Sequence, residues 1–356
     1  MSESPMWLLT VMFIVAGAAI WAAGIRLTDQ TDVLKTRLGL GSAFGGLILL
    51  AIATNLPEVA IVVAATVAGN IGVAVGNILG GIAIQTVLLV VLDAFGVRGF
   101  RPLTYRAASL VLVLEAALVV AVLAIAIIGT QLPATLITAR LTPAPVLIML
   151  VWVLGLVLLH RAEQSLPWHG SGQPPDGQQH PRGHRSVMCE IQASAEGTST
   201  GRAAVGFVSA AVVTLIAGVV LERSGDAIAD RVGLSGVLFG ATVLAAATSL
   251  PELSTGLRSV RHGDYQLAVS DIFGGNAFLP VLFVPATLLS GQAVLPGAQR
   301  TDIYLTALGI VLTLTYAVGL VFRPRRRIVR LGVDSLAALI FYGVGMVGLF
   351  SVSNMR

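Results

Sequence analysis

The sequence predicts an all-α polytopic membrane protein of ten transmembrane helices, arranged as two inverted five-helix repeats with broken helices at the midplane. Three observations predict it. The 356 residues are 56% hydrophobic and 11% charged, less than half the charged share of about 25% usual in a soluble domain. The phrase Ala53-Thr54-Asn55-Leu56-Pro57-Glu58 returns as Ala247-Thr248-Ser249-Leu250-Pro251-Glu252. Each copy sets a proline and a glutamate inside an apolar run long enough to cross a bilayer, where a carboxylate is costly unless it has a partner.

The repeat is wider than this phrase. A constant offset of 194 positions, without a gap, brings Arg37-Leu38-Gly39-Leu40 onto Arg231-Val232-Gly233-Leu234, Asn77 onto Asp271, and Gly80-Gly81 onto Gly274-Gly275. A duplication whose copies each carry a broken hydrophobic segment at the same place points to a secondary transporter with its site between the halves.

Taken in order, apolar runs near the ~20 residues that a spanning helix needs fall at 6–24, 39–68, 72–93, 106–128 and 144–160, then at 204–222, 234–257, 265–290, 302–322 and 333–351. The first run lacks the basic start and small-residue cleavage site of a signal peptide and reads as a retained span. Five crossings per half put the second copy upside down relative to the first. With the N-terminus outside, all but five of the 22 lysines and arginines, namely Arg140, Arg223, Arg231, Arg300 and Arg356, fall on the inner side, as cytoplasmic loops require. Both termini are therefore expected outside, with the chain in a cell (inner) membrane. The net charge of +4 follows from this loop pattern and gives no reason to expect nucleic acid as a partner; the lipid bilayer is the expected surrounding.

Three parts of the chain are expected: a first five-span half at 1–161, a polar linker at 162–203 and a second half at 204–356. The linker is rich in Gly, Pro, Gln, Ser and His, too polar to fold by itself. His160, His169, His180 and His184 show no ligand spacing with cysteine or paired carboxylates, so they read as solvated rather than as a metal cluster. Cys189, the single cysteine, excludes an intramolecular disulfide. Asp93, near a span end, reads as solvated.

The chemistry concentrates at the breaks. Proline has no backbone donor and collides with the carbonyl four residues earlier, so Pro57 and Pro251 should free the carbonyls of Ala53 and Ala247. In hydrocarbon such groups are tolerated only against protein or a water-filled cavity, and a bound cation can satisfy them. Inverted symmetry would bring Glu58 and Glu252 face to face. One divalent cation, two monovalent cations or protons can each relieve their repulsion, and each excludes the others, which is the physical root of exchange. Thr54 and Thr248, one helical turn earlier, add hydroxyl oxygens. Two carboxylates, two hydroxyls and freed carbonyls approach the roughly 6–8 oxygens that calcium prefers; magnesium, which keeps its waters, is less natural.

A second polar stripe follows. Asn77, Gly81 and Gln85 share a helix face at four-residue steps, with Asp271, Gly275 and Leu279 as counterparts. The paired glycines allow close helix approach, whereas Asp271 is a carboxylate within an apolar span. Glu115 has no acidic counterpart, since Gly309 stands at its repeat position. It reads either as a proton-accessible group or as a structural acid bonded to a neighbouring helix.

At these stretches the sequence resembles the sodium/calcium exchangers and, more broadly, the calcium/cation antiporter superfamily. Its repeats carry Thr-Ser-Leu-Pro-Glu followed by Gly-Asn-x-x-Gly-Ser-Asn; here they read ATSLPEL with SDIFGGN, and ATNLPEV with GNILGG. The resemblance implies alternating access around Glu58 and Glu252, with calcium and sodium sharing oxygens there, and carries Thr54, Thr248 and Ser249 into the site. Gly81 and Gly275 stand where the family has serine, and Gln85 and Leu279 where it has asparagine or aspartate. Asn77 and Asp271 can supply oxygens one turn earlier. The expectation is a cation antiporter, not an enzyme and without a cofactor, exporting Ca2+ in exchange for Na+, with H+ coupling as the alternative. A cation channel would need a continuous pore. An intramembrane hydrolase would need a metal triad or a nucleophile with a base, and no intramembrane histidine accompanies either glutamate.

Overall fold

The computed structural model describes residues 4–37, 55–107, 109–134, 140–164 and 197–354. Among these the chain is helical apart from one two-stranded hairpin. Eight helices are long and apolar enough to cross a membrane, or nine if a bent pair is taken as one span. The predicted span 39–68 falls largely outside the described residues, which contain only its second part, so ten spans are not counted here.

The chain opens with α1 (Met6–Arg37), then α2 (Leu56–Val67), α3 (Ile71–Val91), a short α4 (Leu103–Ala107), α5 (Leu110–Thr130) and α6 (Pro143–Gln164). It continues with α7 (Thr200–Val232), α8 (Gly236–Phe239), α9 (Ala245–Thr248), α10 (Leu250–His262), α11 (Tyr265–Phe278), α12 (Phe283–Ser290) and α13 (Arg300–Phe322). The hairpin strands β1 (Arg327–Ile328) and β2 (Leu331–Gly332) precede the last helix, α14 (Val333–Asn354). Helix α6 runs to Gln164 and α7 begins at Thr200, so both helices enter the range expected for the linker; Cys189, His169, His180 and His184 lie outside the described residues, and His160 falls within α6.

Two helices exceed the expected spans. α1 has 32 residues and α7 has 33, about 48 Å or more at 1.5 Å per residue, against a hydrocarbon core of about 30 Å. Hydropathy marks only the lipid-facing part; the helical hydrogen bonding continues into the polar ends. The two helices run antiparallel against each other. Gly225 lies against Phe13, Gly17 against Leu221 and Gly206 against Gln30.

The breaks fall where proline requires them. Asn55 (φ −93°, ψ 14°) and Ser249 (φ −82°, ψ 3°) take the same non-helical conformation and begin α2 and α10, each with its proline in the first turn. Proline is tolerated there because the first-turn N–H would have no intrahelical partner anyway. At Ser249 the chain bends by 44°. Three irregularities among the described residues had no sequence expectation: a π-helical turn at Leu92–Gly96, another at Gly240–Leu244 just before the bend, and a 3-10 turn at Leu279–Leu282 around Pro280, which divides the predicted span 265–290.

Asp93 corrects the sequence reading. It has 0% exposure, accepts from the backbone N–H of Leu103 at 2.9 Å and of Gly332 at 2.6 Å, and lies 3.8 Å from the Arg327 guanidinium. Its place near a span end suggested solvent; the hairpin, remote in sequence, folds over it.

The core is set by close backbone approach. α3 packs on α8 and the Gly240–Leu244 π turn: a Cβ at Gly76 would stand 2.6 Å from the Val237 carbonyl oxygen, and one at Gly80 would collide with the Ala241 backbone. In lipid, where no hydrophobic force drives helices together, such small-residue contact is the principal source of association. Gly80→Val should therefore cost more than the about 1–3 kcal/mol of ordinary overpacking, since backbone rather than a flexible side chain blocks it. Thermal unfolding in detergent should show a large loss of stability for this variant. Gly343→Ala, at an exposed position with open space around it, should leave the midpoint unchanged or slightly higher.

Candidate ion site

Each break delivers a carboxylate to the third residue of a new helix, where exposed N–H groups and the helix dipole favour negative charge. Glu58 is 0% exposed and Glu252 is 4% exposed. The Gln85 amide, from α3, donates to Glu58 Oε1 at 3.3 Å, and the Thr248 side chain neighbours the same carboxyl. Glu252 has Glu58 and Asp271 as its interacting charges. Parts of the first and second halves of the sequence thus meet at one place.

The oxygens there are under-used. Both carboxylate oxygens of Glu252 and Oε2 of Glu58 are buried with no hydrogen-bond partner among the described residues. Buried polar groups are nearly always bonded, so each exception needs an explanation. Thr248 and Ser249 give their hydroxyl protons to the Ala245 carbonyl, at 3.1 and 2.7 Å, which leaves lone pairs on both oxygens. The set is made of oxygens alone and carries negative charge, which suits a hard cation. Among the described residues no group of three or more His, Cys, Asp or Glu is arranged to hold a metal; what converges is two glutamates with neutral oxygens.

The remaining predicted residues are placed unequally. Asp271 is half-buried and accepts from the Thr255 hydroxyl at 3.2 Å. Asn77 is fully buried, with neither amide atom bonded among the described residues, and no hydrogen bond there joins it to a glutamate. Thr54 and the Ala53 carbonyl lie outside the described residues. Glu115, on α5, accepts from the Ser270 hydroxyl of α11 at 2.8 Å, so it is bonded to a neighbouring helix.

Asn55 is the neighbour that sequence reading passed over, although it stands at the repeat position of Ser249. A Cβ on Gly275 would lie 3.3 Å from Gln85 Oε1 and 3.4 Å from the Asn55 amide. The two long amides occupy the volume that a side chain at 275 would need. A substitution at one repeat position is therefore matched by larger side chains at others. Thr86 and Asn276 were also missed. The Asn276 amide donates to Thr86 Oγ1 at 2.9 Å, tying α11 to α3 beside the site.

Helices broken at buried carboxylates, within an all-helical membrane-spanning chain, define an ion-carrying membrane protein. A family model described as "Sodium/calcium exchanger protein" matches residues 8–161 and 202–353. The chain belongs to this sodium/calcium exchanger family. It is 29% identical over 313 residues to the antiporter candidate CaxA of Alkalimonas amylolytica, covering 86% of this chain and 89% of that protein. It is 28% identical over 296 residues to the inner membrane protein YrbG of Escherichia coli (strain K12), covering 81% and 82%. Its fold is similar to that of the H+/Ca2+ exchanger CAX (TM-score 0.62, 12% identity, 97% of this chain and 87% of that one). It is also similar to the sodium-calcium exchanger NCX_Mj (TM-score 0.55, 13% identity, 99% and 100%).

The Glu115–Ser270 bond gives a stability test. Ser270→Ala leaves the buried Glu115 without this donor and should cost about 1–3 kcal/mol. Glu115→Gln keeps an acceptor oxygen and should cost less. Unfolding midpoints of the two variants measure the difference, and equal losses would contradict this role for the hydroxyl.

Proposed function

We propose that the chain is a secondary active antiporter that exports Ca2+ in exchange for Na+, by alternating access around Glu58 and Glu252. The observation that carries the reading is the set of buried carboxylate oxygens, unpartnered among the described residues, at two matched helix starts. Family membership supports the transporter class. Thr248, Ser249 and Gln85 complete the oxygen set, with Thr54, Asn77 and Asp271 as further candidates. The ten-span inverted repeat, with halves at 1–161 and 204–356 and the linker between, is part of the same proposal. The matched conformations of Asn55 and Ser249 support it.

Orientation follows from loop charge. Arg101 donates to the Arg325 carbonyl and Arg327 to the Gly99 carbonyl, so two basic loops distant in sequence share one end of the bundle. That end is the inner side of a cell (inner) membrane, with both termini outside; the inner membrane protein YrbG supports the location.

Proton coupling is the second reading, and Gly81 and Gly275 favour it. Neither offers a hydroxyl, and at Gly275 the Gln85 and Asn55 amides fill the space. An amide oxygen is a weaker ligand for Na+ than a carboxylate, whereas a proton needs only the glutamates.

Inverted membrane vesicles test class and counter-ion together. Ca2+ uptake should follow an imposed Na+ gradient; uptake driven by a pH gradient alone would replace Na+ with H+, and indifference to both gradients would remove the antiporter reading. Glu58→Gln and Glu252→Gln should each lower exchange to background while the protein still elutes as a single folded species. Unitary currents in bilayer recordings would point to a channel.

A further inference from the structure

A second acidic site lies away from the two glutamates. The turn between α2 and α3 presents Asn70 to the C-terminal part of α7, where Glu222, Asp226 and Asp230 follow one another at four-residue steps on one face. They border a cleft of about 440 Å3. The Asn70 amide nitrogen is 2.8 Å from Asp226 Oδ2 and 3.4 Å from Glu222 Oε1, so a single side chain links two acids one helical turn apart.

Charge on a surface helix needs no special reason, but Glu222 is not on the surface. It has 0% exposure, and its Oε2 has no hydrogen-bond partner among the described residues. Of the two exposed basic groups on the cleft, Arg223 acts on Glu222 through its charge without bonding Oε2, and Arg231 donates to the Ser4 carbonyl at 2.7 Å. A buried carboxylate oxygen left without a donor beside a second carboxylate marks a place for a cation. Asn70 suits the same task, because oxygen and nitrogen of an amide exchange places by a simple flip, which would turn an acceptor oxygen toward the ion.

The same face of α7 continues toward Glu58. One turn from Glu222, Gly218 lies against Ala60, and a further turn on, Thr214 is fully buried with its hydroxyl oxygen unpartnered among the described residues. Ala60 is two residues from Glu58. At the offset of 194, Thr28 stands in place of Glu222, and its hydroxyl is committed to the Gly24 carbonyl at 3.1 Å. The opposite end of α1 therefore carries no matching carboxylate at that position.

We propose that Asn70, Glu222 and Asp226 form a second, peripheral cation site that holds a partly hydrated divalent cation at one mouth of the bundle. Two carboxylates, an amide oxygen and waters held in the cleft supply the all-oxygen shell of flexible geometry that Ca2+ accepts. Its part in loading the Glu58–Glu252 site rests on the proposed function; the binding itself does not.

The test uses the full chain in nanodiscs of zwitterionic lipid with radioactive Ca2+ as the probe. With Glu58→Gln and Glu252→Gln combined, one saturable Ca2+ site should remain. Adding Glu222→Gln and Asp226→Asn should weaken that remaining site at least tenfold, in protein that elutes as a single species. Asn70→Asp should tighten it several-fold, because a third carboxylate adds a ligand; if Asn70 only holds the two acids apart, the same change should weaken or unfold the protein. No residual binding, residual binding unaffected by the α7 variants, or weakening by Asn70→Asp would overturn the site. Equal numbers of bound ions before and after Glu58→Gln with Glu252→Gln would instead count against the central site and leave this one standing.

Discussion

The constraint behind the whole structure is that two carboxylates cannot remain charged, dry and unaccompanied in a low-dielectric core. Removing an ion from water carries an effective penalty of several kcal/mol even after relaxation. Glu58 receives one amide bond from Gln85, and Glu252 receives none from the described residues. Among the described residues, no bonding offsets that penalty in full. A chain that keeps such groups at two matched positions needs a mobile partner for them. For a transporter that need is useful, because the empty site is the unfavourable state and occupancy by one ion excludes another.

The surrounding architecture serves this arrangement. Pro251 in the first turn of α10 follows the end of α9 without leaving a donor to be satisfied, and the first-turn prolines of α2 and α10 each put a glutamate at a helix N-terminus. The π turn at Gly240–Leu244 rotates the chain immediately before the second break. Glycines at 76 and 80 let α3 approach Val237 of α8 and Ala241 of the π turn to backbone contact, and the same helix carries Gln85 to Glu58. Packing and chemistry are therefore not separable here: a larger residue in the glycine row would push away the helix that carries the amide.

Much of this was legible in the sequence because it depends on covalent facts. Proline lacks an N–H, glutamate carries charge, and a gapless repeat places both at equivalent positions. What the sequence did not show depended on contacts between distant residues. Asp93 looked solvated because its cover, the Arg327–Gly332 hairpin, lies more than two hundred residues away. The lengths of α1 and α7 were underestimated because hydropathy reports the lipid-facing part and not where helical bonding stops. Asn55 was passed over although its repeat partner Ser249 had been singled out; only the crowding at Gly275 shows that its amide and that of Gln85 share one space.

Asn55 and Ser249 share a backbone conformation while the side chains around them differ, and this difference bears on the proposed mechanism. Where the first copy has Asn55, Asn77 and Gln85, the second has Ser249, Asp271 and Leu279. Glu115 has no acidic counterpart and accepts from Ser270 of the second copy, and Pro280 breaks a helix whose counterpart continues through Thr86. A site built from identical halves would offer the same ligands to an ion arriving from either side. Here Glu58 has the Gln85 amide beside it and Glu252 has a second carboxylate, Asp271, among its interacting charges, so the two glutamates differ in surroundings. On the proposed alternating-access reading, the unequal side chains give the two access states different affinities. Such a difference is what an exchanger needs to pick up a cation on one side and release it on the other.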